Sequence, residues 1–291
     1  MRNAVPTAPG KQTLGSAPSL PWGTLRTPRV LIIQTVGTLL CAYVFSGYVS
    51  GCFEVLFYGL AALGAPLTAG MHQALQVLCG HLAWVVMALR ILGTRLEAFL
   101  PAPFGRGERE DEARWLTARW RVSWLTWVLG GYFASLLAYN LIEPLNQMIL
   151  PPPPPGLTPL DAGPPNGLGP GADPDGGRSV VFRLLHPEHA DRLALAVGAL
   201  APCLSAPVFE ELLYRGFLLP ALTRFMPLPL ALPLHALLFG LHHHALPSLL
   251  PLTALGLVWG VLYVQSANLL VPVLVHGMWN SRIFISTALN G

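Results

Sequence analysis

The sequence PVFEELLYRGFL, residues 207–218, places three ionisable side chains within an apolar stretch. They are Glu210, Glu211 and Arg215, and the residues before them, LALAVGALAPCLSAPVF at 193–209, carry no charge. Charged groups inside an apolar helix bundle are costly, so they usually face the bundle interior and serve a function. Residues 207–218 are therefore the first candidate for a functional site.

The composition of the whole chain is that of a membrane protein. Hydrophobic residues make up 53% of the 291 residues, the mean hydropathy is +0.54, and only 11% are charged, whereas soluble domains carry roughly 25% charged residues. We predict an all-α, polytopic integral membrane bundle of about eight helices, with the lipid bilayer as a partner. The net charge of +3 and the lack of basic blocks interleaved with aromatic residues indicate that nucleic acid is not a partner.

The four cysteines give no sign of a disulfide framework or a zinc knot. They lie in or beside apolar segments and show no CxxC spacing. We expect them to be small buried apolar residues. The cysteines are Cys41, Cys52, Cys79 and Cys203.

The first 29 residues form a basic N-terminal extension without acidic residues. Residues 1–29 contain four basic side chains among Ser, Thr, Ala and Pro, and the first acidic residue of the chain is Glu54. This composition resembles an organelle transit peptide and favours a chloroplast membrane. A short cytosolic tail, with the protein in the endoplasmic reticulum or the plasma membrane, is the alternative.

Residues 30–150 are predicted to form the N-terminal transmembrane helices. The apolar stretch 30–63 is too long for one upright helix, because a bilayer core needs roughly 20 helical residues. The sequence GYVSG at 47–51 predicts a break, and hence two helices or one long kinked helix. Further spans are expected at 72–92 and 122–142, separated by an arginine-rich polar loop at 95–121 that indicates the cytosolic or stromal side.

A Pro/Gly-rich linker, residues 151–191, separates these helices from the C-terminal part, 192–291. Its residues 151–178 show no apolar periodicity and predict a flexible or polyproline-like segment outside the bilayer. The C-terminal part contains five apolar segments punctuated by prolines, at 193–214, 216–226, 230–246, 248–265 and 268–288.

Helical spacing pairs the polar residues of the C-terminal part. Glu211 and Arg215 stand four apart, share a helix face and can form an ion pair, whereas Glu210 is turned about 100° away. Glu210 is therefore left free to act as a base. The two other pairs that share a face are Phe239 with His243 and His276 with Asn280.

These three pairs form one site only if their helices meet. If the five apolar segments cross the membrane alternately, the segments that carry Glu210, His243 and His276 run in the same direction. With a rise of about 1.5 Å per residue, the three side chains then lie at unequal depths in the membrane. Tilt of the helices can bring them to the same depth. Each pair taken alone is also explained by solvated helix ends or by interhelical hydrogen bonds.

The three pairs resemble the motifs of a known family. Glu210-Glu211-Leu-Leu-Tyr-Arg215 is similar to the EExxxR motif of the CPBP family, which comprises the CAAX proteases and bacteriocin-processing enzymes and is also called the Abi family. Phe239-Gly-Leu-His-His243 resembles its FxxxH motif, and His276-Gly-Met-Trp-Asn280 resembles its HxxxN motif. The resemblance covers roughly residues 192–288.

The resemblance implies an intramembrane endopeptidase, similar to type II CAAX prenyl proteases, that cuts a peptide bond near the membrane plane. Glu210 activates the attacking water with the help of His243, and His276 and Asn280 stabilise the oxyanion. Glu211, Arg215 and Phe239 support the site. The implied substrate is a peptide or membrane protein, prenylated in the CAAX subclass.

The role of a metal ion is left open by the sequence. Glu210, His243 and His276 are residue types that bind zinc, and the family has been described as metalloproteases. No HExxH motif is present, and a metal-free glutamate mechanism uses the same residues. The cofactor is therefore either none or a divalent metal such as zinc.

Two other functions are compatible with the same sequence. The first is a non-proteolytic membrane scaffold of the same fold that binds or stabilises other membrane proteins, including plastid proteins. The second is a transporter of metal ions or protons, which would need a polar pathway across the bilayer. The intact motifs favour the protease over both.

Overall fold

The fold is entirely helical in the part of the chain that the structure describes. The computed structural model describes residues 20–22, 27–95, 124–150, 180–243 and 245–290. Within these ranges there is no strand, and the prediction of an all-α protein is confirmed. The helices are α1 Arg29–Ala62, α2 Ala69–Arg95, α3 Trp124–Ile149, α4 Val180–Leu185, α5 Arg192–Leu222, α6 Leu228–His242, α7 Leu249–Ser266 and α8 Leu270–Asn290, with short 3-10 turns at Glu188–Ala190 and Leu246–Ser248.

The helices form an integral membrane bundle. Five segments in the described ranges are long and apolar enough to cross a membrane: α1, α2, α3, α5, and α7 together with the turn before it. Helix α6 is apolar but shorter. The prediction was of about eight membrane helices, compared with these five long segments in the described ranges. Large apolar side chains cover the outer surface, among them Val44, Phe45 and Leu137. An apolar exterior of this kind matches hydrocarbon rather than water.

Helix α1 is a single helix of 34 residues, and the expected break at 47–51 is absent. Glycine inside a helix costs only about 1 kcal/mol relative to alanine, so the glycines of this stretch do not end the helix. At 1.5 Å per residue α1 is about 51 Å long. A helix of that length tilts or projects beyond a hydrocarbon core of about 30 Å.

Helix α5 contradicts the predicted division at residue 215. The segments 193–214 and 216–226 were expected to be separate, but Arg192–Leu222 is continuous. The assumption of five alternating crossings is therefore wrong. The reason is that the proline in the middle of the second segment, Pro220, is accommodated within the helix instead of ending it.

The directions of the C-terminal helices follow from their contacts. Leu269 at the start of α8 lies next to Gly216 near the end of α5, and Asn280 further along α8 bonds to Pro202 near the start of α5. Helices α5 and α8 are therefore antiparallel. Gly240 near the end of α6 contacts Thr253 near the start of α7, so these two helices are antiparallel as well. Glu210 lies near His243 just after the end of α6, and Tyr214, further along α5, contacts His235 in the middle of α6. Helices α6 and α8 therefore both run opposite to α5, and the three motif-bearing helices do not share one direction.

The first part of α5 contains a wide, π-helical turn whose cause is a proline. In Ala201–Ser205 the N–H of Ala206 bonds to the carbonyl of Ala201, five residues back. The next residue, Pro207, has no N–H to donate. The carbonyl of Pro202 is consequently left without a helical donor and is open to a side chain from another helix.

A second π-helical turn, Leu212–Leu218, lies later in α5 and has the same cause. Here the N–H of Leu219 bonds to the carbonyl of Tyr214, and Pro220 follows without an N–H. The α-helical segment Ala206–Glu211, which carries both glutamates, therefore lies between two wide turns. Wide turns of this kind are frequent at functional sites.

The bundle closes around α5. Helix α1 packs on α2, α2 on α5, α5 on α8, α8 on α3, α3 on α7 and α7 on α6, while α6 returns to the second wide turn of α5. The polar residues of the C-terminal motifs therefore lie within a ring of helices.

Three predicted segments fall mostly outside the described residues. They are the N-terminal extension 1–29, the arginine-rich loop 95–121 and the linker 151–191. Within the last of these, the structure describes the short helix α4 and the turn Glu188–Ala190.

The cysteines are all free, but they are not all buried. Cys203 is buried and Cys79 is partly buried, whereas Cys41 and Cys52 are exposed on the outside of α1. The expectation of burial is wrong for these two residues. The lipid around a membrane helix is itself apolar, so a small apolar side chain is stable on the outer face of the helix.

Asp191 ties α5 to the start of α2. Its Oδ1 accepts hydrogen bonds from the N–H groups of Leu193 and Ala194 at 3.0 Å each, which caps the helix. Its Oδ2 accepts a hydrogen bond from the hydroxyl of Thr68 at 2.7 Å. The Thr68 hydrogen bond, followed by the Ala194 N–H, lowers the pKa of the Asp191 carboxyl below its ordinary value.

Replacing Asp191 should change how the melting temperature depends on pH. Because the folded-state pKa is lowered, the ionised carboxylate stabilises the fold above the ordinary carboxyl pKa, and this stabilisation is lost as the pH falls through the lowered folded-state value. Asp191→Asn keeps a side-chain acceptor but removes the charge. We expect a lower Tm at neutral pH and a flatter acid limb in detergent melting curves, and an acid limb identical to wild type would contradict this role.

Candidate active site

A buried ion pair lies at the centre of the bundle. Arg215 Nη1 donates to Glu211 Oε1 at 2.8 Å, and His276 Nδ1 donates to the same oxygen at 3.0 Å. Arg215 and Glu211 are 0% exposed and His276 is 3% exposed. Arg215 Nη2 donates further to the carbonyl oxygen of Gly256 at 2.9 Å. The spacing predicted the pairing of Glu211 with Arg215, and the structure adds His276 and Gly256 to it.

Aromatic rings enclose this ion pair. The guanidinium carbon of Arg215 lies 4.7 Å from the ring centroid of Phe239, which is 1% exposed, a distance typical of a cation–π contact. The ring of Trp259 stacks on that of His276, with centroids 4.3 Å apart and planes inclined by 30°. Phe239 also packs against His243 at 4.7 Å. The rings shield the ion pair and pack against both histidines.

The stacked tryptophan is itself held by α3. Trp259 Nε1 donates to Ser135 Oγ at 2.9 Å, and Ser135 Oγ donates in turn to the carbonyl of Gly131 at 2.7 Å. Both side chains are almost fully buried. The orientation of His276 therefore depends on a serine from the N-terminal half of the chain.

Removing the Ser135 hydroxyl should destabilise the protein. Ser135→Ala leaves the Trp259 indole N–H buried without an acceptor, which costs about 1–3 kcal/mol. A lower free energy of unfolding in detergent is the expected result. Thr38→Val is the matched control, because its hydroxyl donates to the Gln34 carbonyl on an exposed helix face. Equal stabilities of the two variants would show that the Ser135–Trp259 contact contributes nothing.

The second glutamate, Glu210, has different surroundings from Glu211. Its Oε2 lies 4.0 Å from His243 Nε2, and the two side chains are 17% and 29% exposed. This separation is too long for a direct hydrogen bond. Glu210 and His243 are thus partly exposed side chains, although the Glu210 Oε2 atom itself is buried, whereas Glu211 and His276 are enclosed.

The tautomer of His243 follows from its backbone contact. Nδ1 lies 2.8 Å from the carbonyl oxygen of Phe239, and because a carbonyl only accepts, Nδ1 must carry the proton. In the neutral ring Nε2 is then an acceptor on the side of Glu210. Two proton acceptors, a carboxylate and an imidazole nitrogen, therefore lie next to each other.

Asn280 reaches the carbonyl that the first wide turn leaves open. Its Nδ2 donates to Pro202 O at 2.7 Å. This uses one of the two amide hydrogens and leaves the other for a ligand. Asn280 and His276 both contact α5, as expected from their shared helix face.

The predicted metal ligands do not form a three-ligand site. Within the described residues, no group of three or more His, Cys, Asp or Glu side chains is arranged to hold a metal ion. Nδ1 of His276 is engaged by Glu211 and Nδ1 of His243 by a carbonyl, so each ring could bind a metal only through Nε2, as metal-binding histidines usually do.

Several residues at the site were not found from the sequence. Trp259 and the Gly256 carbonyl come from α7, Ser135 from α3 and the Pro202 carbonyl from the first wide turn. A backbone carbonyl has no sequence signature. The spacing of Pro202 and Pro207 was the one signal that an acceptor in α5 would lack its helical donor.

The part of the chain that carries this site matches a known protein family. Residues 192–282 match the family model described as type II CAAX prenyl endopeptidase Rce1-like. The matched segment covers α5, α6, α7 and the first half of α8, and it contains every predicted site residue. The match confirms the resemblance to the CPBP family of membrane proteases for about a third of the chain. No curated protein and no solved structure matches the chain.

Proposed function

We propose that the protein is an intramembrane endopeptidase in which the Glu210 carboxylate activates water with the help of His243. The observation that carries this proposal is the partly exposed Glu210–His243 pair, 4.0 Å apart, beside an enclosed pair of the same residue types. One glutamate is neutralised by an arginine and the other is not. That difference is what a site with one structural and one reactive carboxylate requires.

The proton path follows from the two acceptors. A water molecule held by the Glu210 carboxylate and His243 Nε2 loses a proton to the carboxylate as its oxygen attacks the carbonyl carbon of the substrate. The carbonyl becomes an oxyanion. Glu210 then gives the proton to the leaving nitrogen as the C–N bond breaks, so the carboxylate is restored and the water is consumed.

The oxyanion is stabilised by Asn280 and His276. The second amide hydrogen of Asn280 is a neutral donor. His276 already donates through Nδ1 to Glu211, so it has a second N–H to offer only when its ring carries both protons, a form that the Glu211 carboxylate stabilises. Sequence reasoning treated both residues as neutral donors, whereas this proposal requires His276 to donate to the oxyanion through Nε2. Such donors contribute about 2.7–4 kcal/mol each.

The length of α6 supports a reaction near the membrane plane. This helix has 15 residues and ends just before His243, so it is about 22 Å long and shorter than a hydrocarbon core of about 30 Å. His243 therefore lies at a helix end beside the turn 245–248, which is where water can enter. We propose a peptide or membrane-protein substrate, prenylated as the CAAX subclass requires, and cleavage without a bound metal.

The experiment that tests the function is cleavage by the purified full-length chain. Wild type and Glu210→Ala are incubated in detergent with internally quenched membrane peptides, including a farnesylated CAAX peptide, with and without a chelator. Cleavage by wild type that is lost in the variant and retained with the chelator supports the proposal. Loss with the chelator and recovery with zinc would assign a metal to the site, and equal cleavage by both proteins would refute the role of Glu210.

No cleavage by wild type, together with stable co-purification of a membrane protein, would favour the scaffold instead. For the location we propose a chloroplast membrane, with the endoplasmic reticulum and the plasma membrane as alternatives. The composition of residues 1–29 is the support for this location.

A further inference from the structure

Helix α2, which lies outside the matched residues 192–282, is hydrogen-bonded to the helix that carries both glutamates. Nε2 of His81 lies 3.1 Å from Oγ of Ser205, the last residue of the first wide turn, Ala201–Ser205. An imidazole nitrogen and a hydroxyl can each donate or accept, and 3.1 Å is a hydrogen-bond distance. One side chain of the N-terminal half is therefore bonded directly to the wide turn.

The same helix contacts the segment after the wide turn through aromatic rings. The rings of His81 and Trp84 both meet the ring of Phe209 edge-on, with centroids 6.3 and 5.7 Å away. Phe209 is 3% exposed and directly precedes Glu210. His81 thus contacts α5 on both sides of the junction between the wide turn and the segment that carries Glu210.

The hydroxyl of Ser205 connects two helices instead of bonding within its own. A helical serine can donate to the carbonyl four residues back, as Ser135 does to Gly131. For Ser205 that carbonyl belongs to Ala201, which accepts the N–H of Ala206 across the wide turn. The serine hydroxyl contacts α2 instead, so the wide turn has a side-chain hydrogen bond to a neighbouring helix.

Helix α8 holds the same wide turn from its own side. Asn280 Nδ2 donates to the carbonyl of Pro202 at 2.7 Å. The two helices come close there because residue 277 is glycine, where a Cβ would lie 3.3 Å from the carbonyl oxygen of Cys203. The Pro202 carbonyl therefore takes its position from a wide turn that α2 and α8 contact together.

We propose that His81 is a positioning residue for Asn280. Its hydrogen bond to Ser205 fixes the wide turn, the wide turn fixes the Pro202 carbonyl, and that carbonyl orients the Asn280 amide toward the oxyanion. This inference rests on the proposed function, in which Asn280 stabilises the oxyanion. It gives the N-terminal half of the chain a part in the reaction, through a residue outside 192–282.

His81→Phe tests this role because it removes the hydrogen bond and keeps an aromatic ring against Phe209. A hydrogen bond of this kind contributes a factor of about 2–12, so kcat should fall on the order of fivefold, with KM within about twofold. His81→Gln restores a donor and an acceptor near the position of Nε2 and should return kcat to within about twofold of wild type. An unchanged kcat in His81→Phe, or a loss that His81→Gln does not reverse, would contradict the proposal.

The Asn280→Ala background shows whether the effect passes through Asn280. This variant has already lost the donor to Pro202, so adding His81→Phe should change kcat by no more than about twofold. A further fall of about fivefold would show that His81 acts independently of Asn280 and would refute its positioning role. Gln76→Leu is the matched control, because it removes a hydrogen bond from the same helix to Glu54 in α1, at 3.0 Å, and it should cleave like wild type.

A nuclear magnetic resonance measurement tests the contact without relying on cleavage. The side-chain amide signals of Asn280, assigned by their absence from Asn280→Ala, should shift in His81→Phe and stay in place in His81→Gln and Gln76→Leu. Ser205→Ala removes the same hydrogen bond from the other side and should shift them too, so the result does not depend on one variant. Signals that stay in place in both His81→Phe and Ser205→Ala would overturn the proposal. If wild type cleaves nothing, the proposed function fails, while these signals still decide whether His81 holds the Asn280 contact.

Discussion

Glu210→Gln should reduce kcat for peptide cleavage on the order of 1,000-fold and leave the fold intact. General base catalysis contributes about 10²–10⁴ to a rate, and glutamine has nearly the same shape but cannot take a proton. Because the side chain is 17% exposed and not part of the buried ion pair, its replacement should leave the melting temperature near that of wild type. The measurement is single-turnover cleavage of the quenched peptide.

Two comparisons make the result specific to this residue. Glu143→Gln is the matched control, because Glu143 lies in α3 and accepts a hydrogen bond only from its neighbour Gln147 within the described residues. It should cleave at the rate of wild type. A Glu210→Gln variant that retains more than about a tenth of the wild-type rate would lie outside the range expected for loss of a general base.

Arg215→Met should lower the free energy of unfolding by about 3–5 kcal/mol, the largest effect on stability expected in the chain. The substitution leaves the Glu211 carboxylate buried without its cation, and it also leaves the Gly256 carbonyl without its donor. Chemical denaturation in mixed micelles measures the loss. Arg192→Met is the control, since Arg192 is exposed at the start of α5 and should change stability by at most about 0.5 kcal/mol.

The double variant Glu211→Leu with Arg215→Met distinguishes a buried charge from simple loss of volume. Removing both partners of a buried pair is often neutral or stabilising, so most of the lost stability should return. Cleavage should not return, because His276 then lacks the carboxylate that accepts its Nδ1 hydrogen bond and orients its ring. A double variant as unstable as Arg215→Met would show that packing, and not the unpaired charge, governs the effect.

Local pairing within one helix could be predicted from the sequence. Glu211 with Arg215 and Phe239 with His243 stand one helical turn apart, and the geometry of an α-helix brings such residues together regardless of the rest of the fold. Their recognition needed no knowledge of helix directions. The same rule predicted that His276 and Asn280 would face one neighbouring helix.

Contacts between helices could not be predicted in the same way. His276 was expected beside Glu210, but α8 runs antiparallel to α5 and places its imidazole on Glu211. The expectation assumed that 193–214 and 216–226 cross the membrane separately. They form the single helix α5, because Pro220 is accommodated within it. The contribution of Ser135 depends on how α3 packs on α7, for which a single sequence carries no signal.

The carbonyl of Pro202, which lacks a helical donor, makes the hydrogen bond of Asn280 depend on the residue at position 207. Asn280 has its partner because residue 207, being proline, offers no amide proton to the helix. Any other residue at position 207 would supply a backbone N–H that could bond to this carbonyl. Asn280 would then lose its acceptor. We therefore expect related sequences to retain Pro207 and Asn280 together or to lose them together. Pro207, which has no reactive atom, should then be retained as strictly as a residue that contacts the substrate.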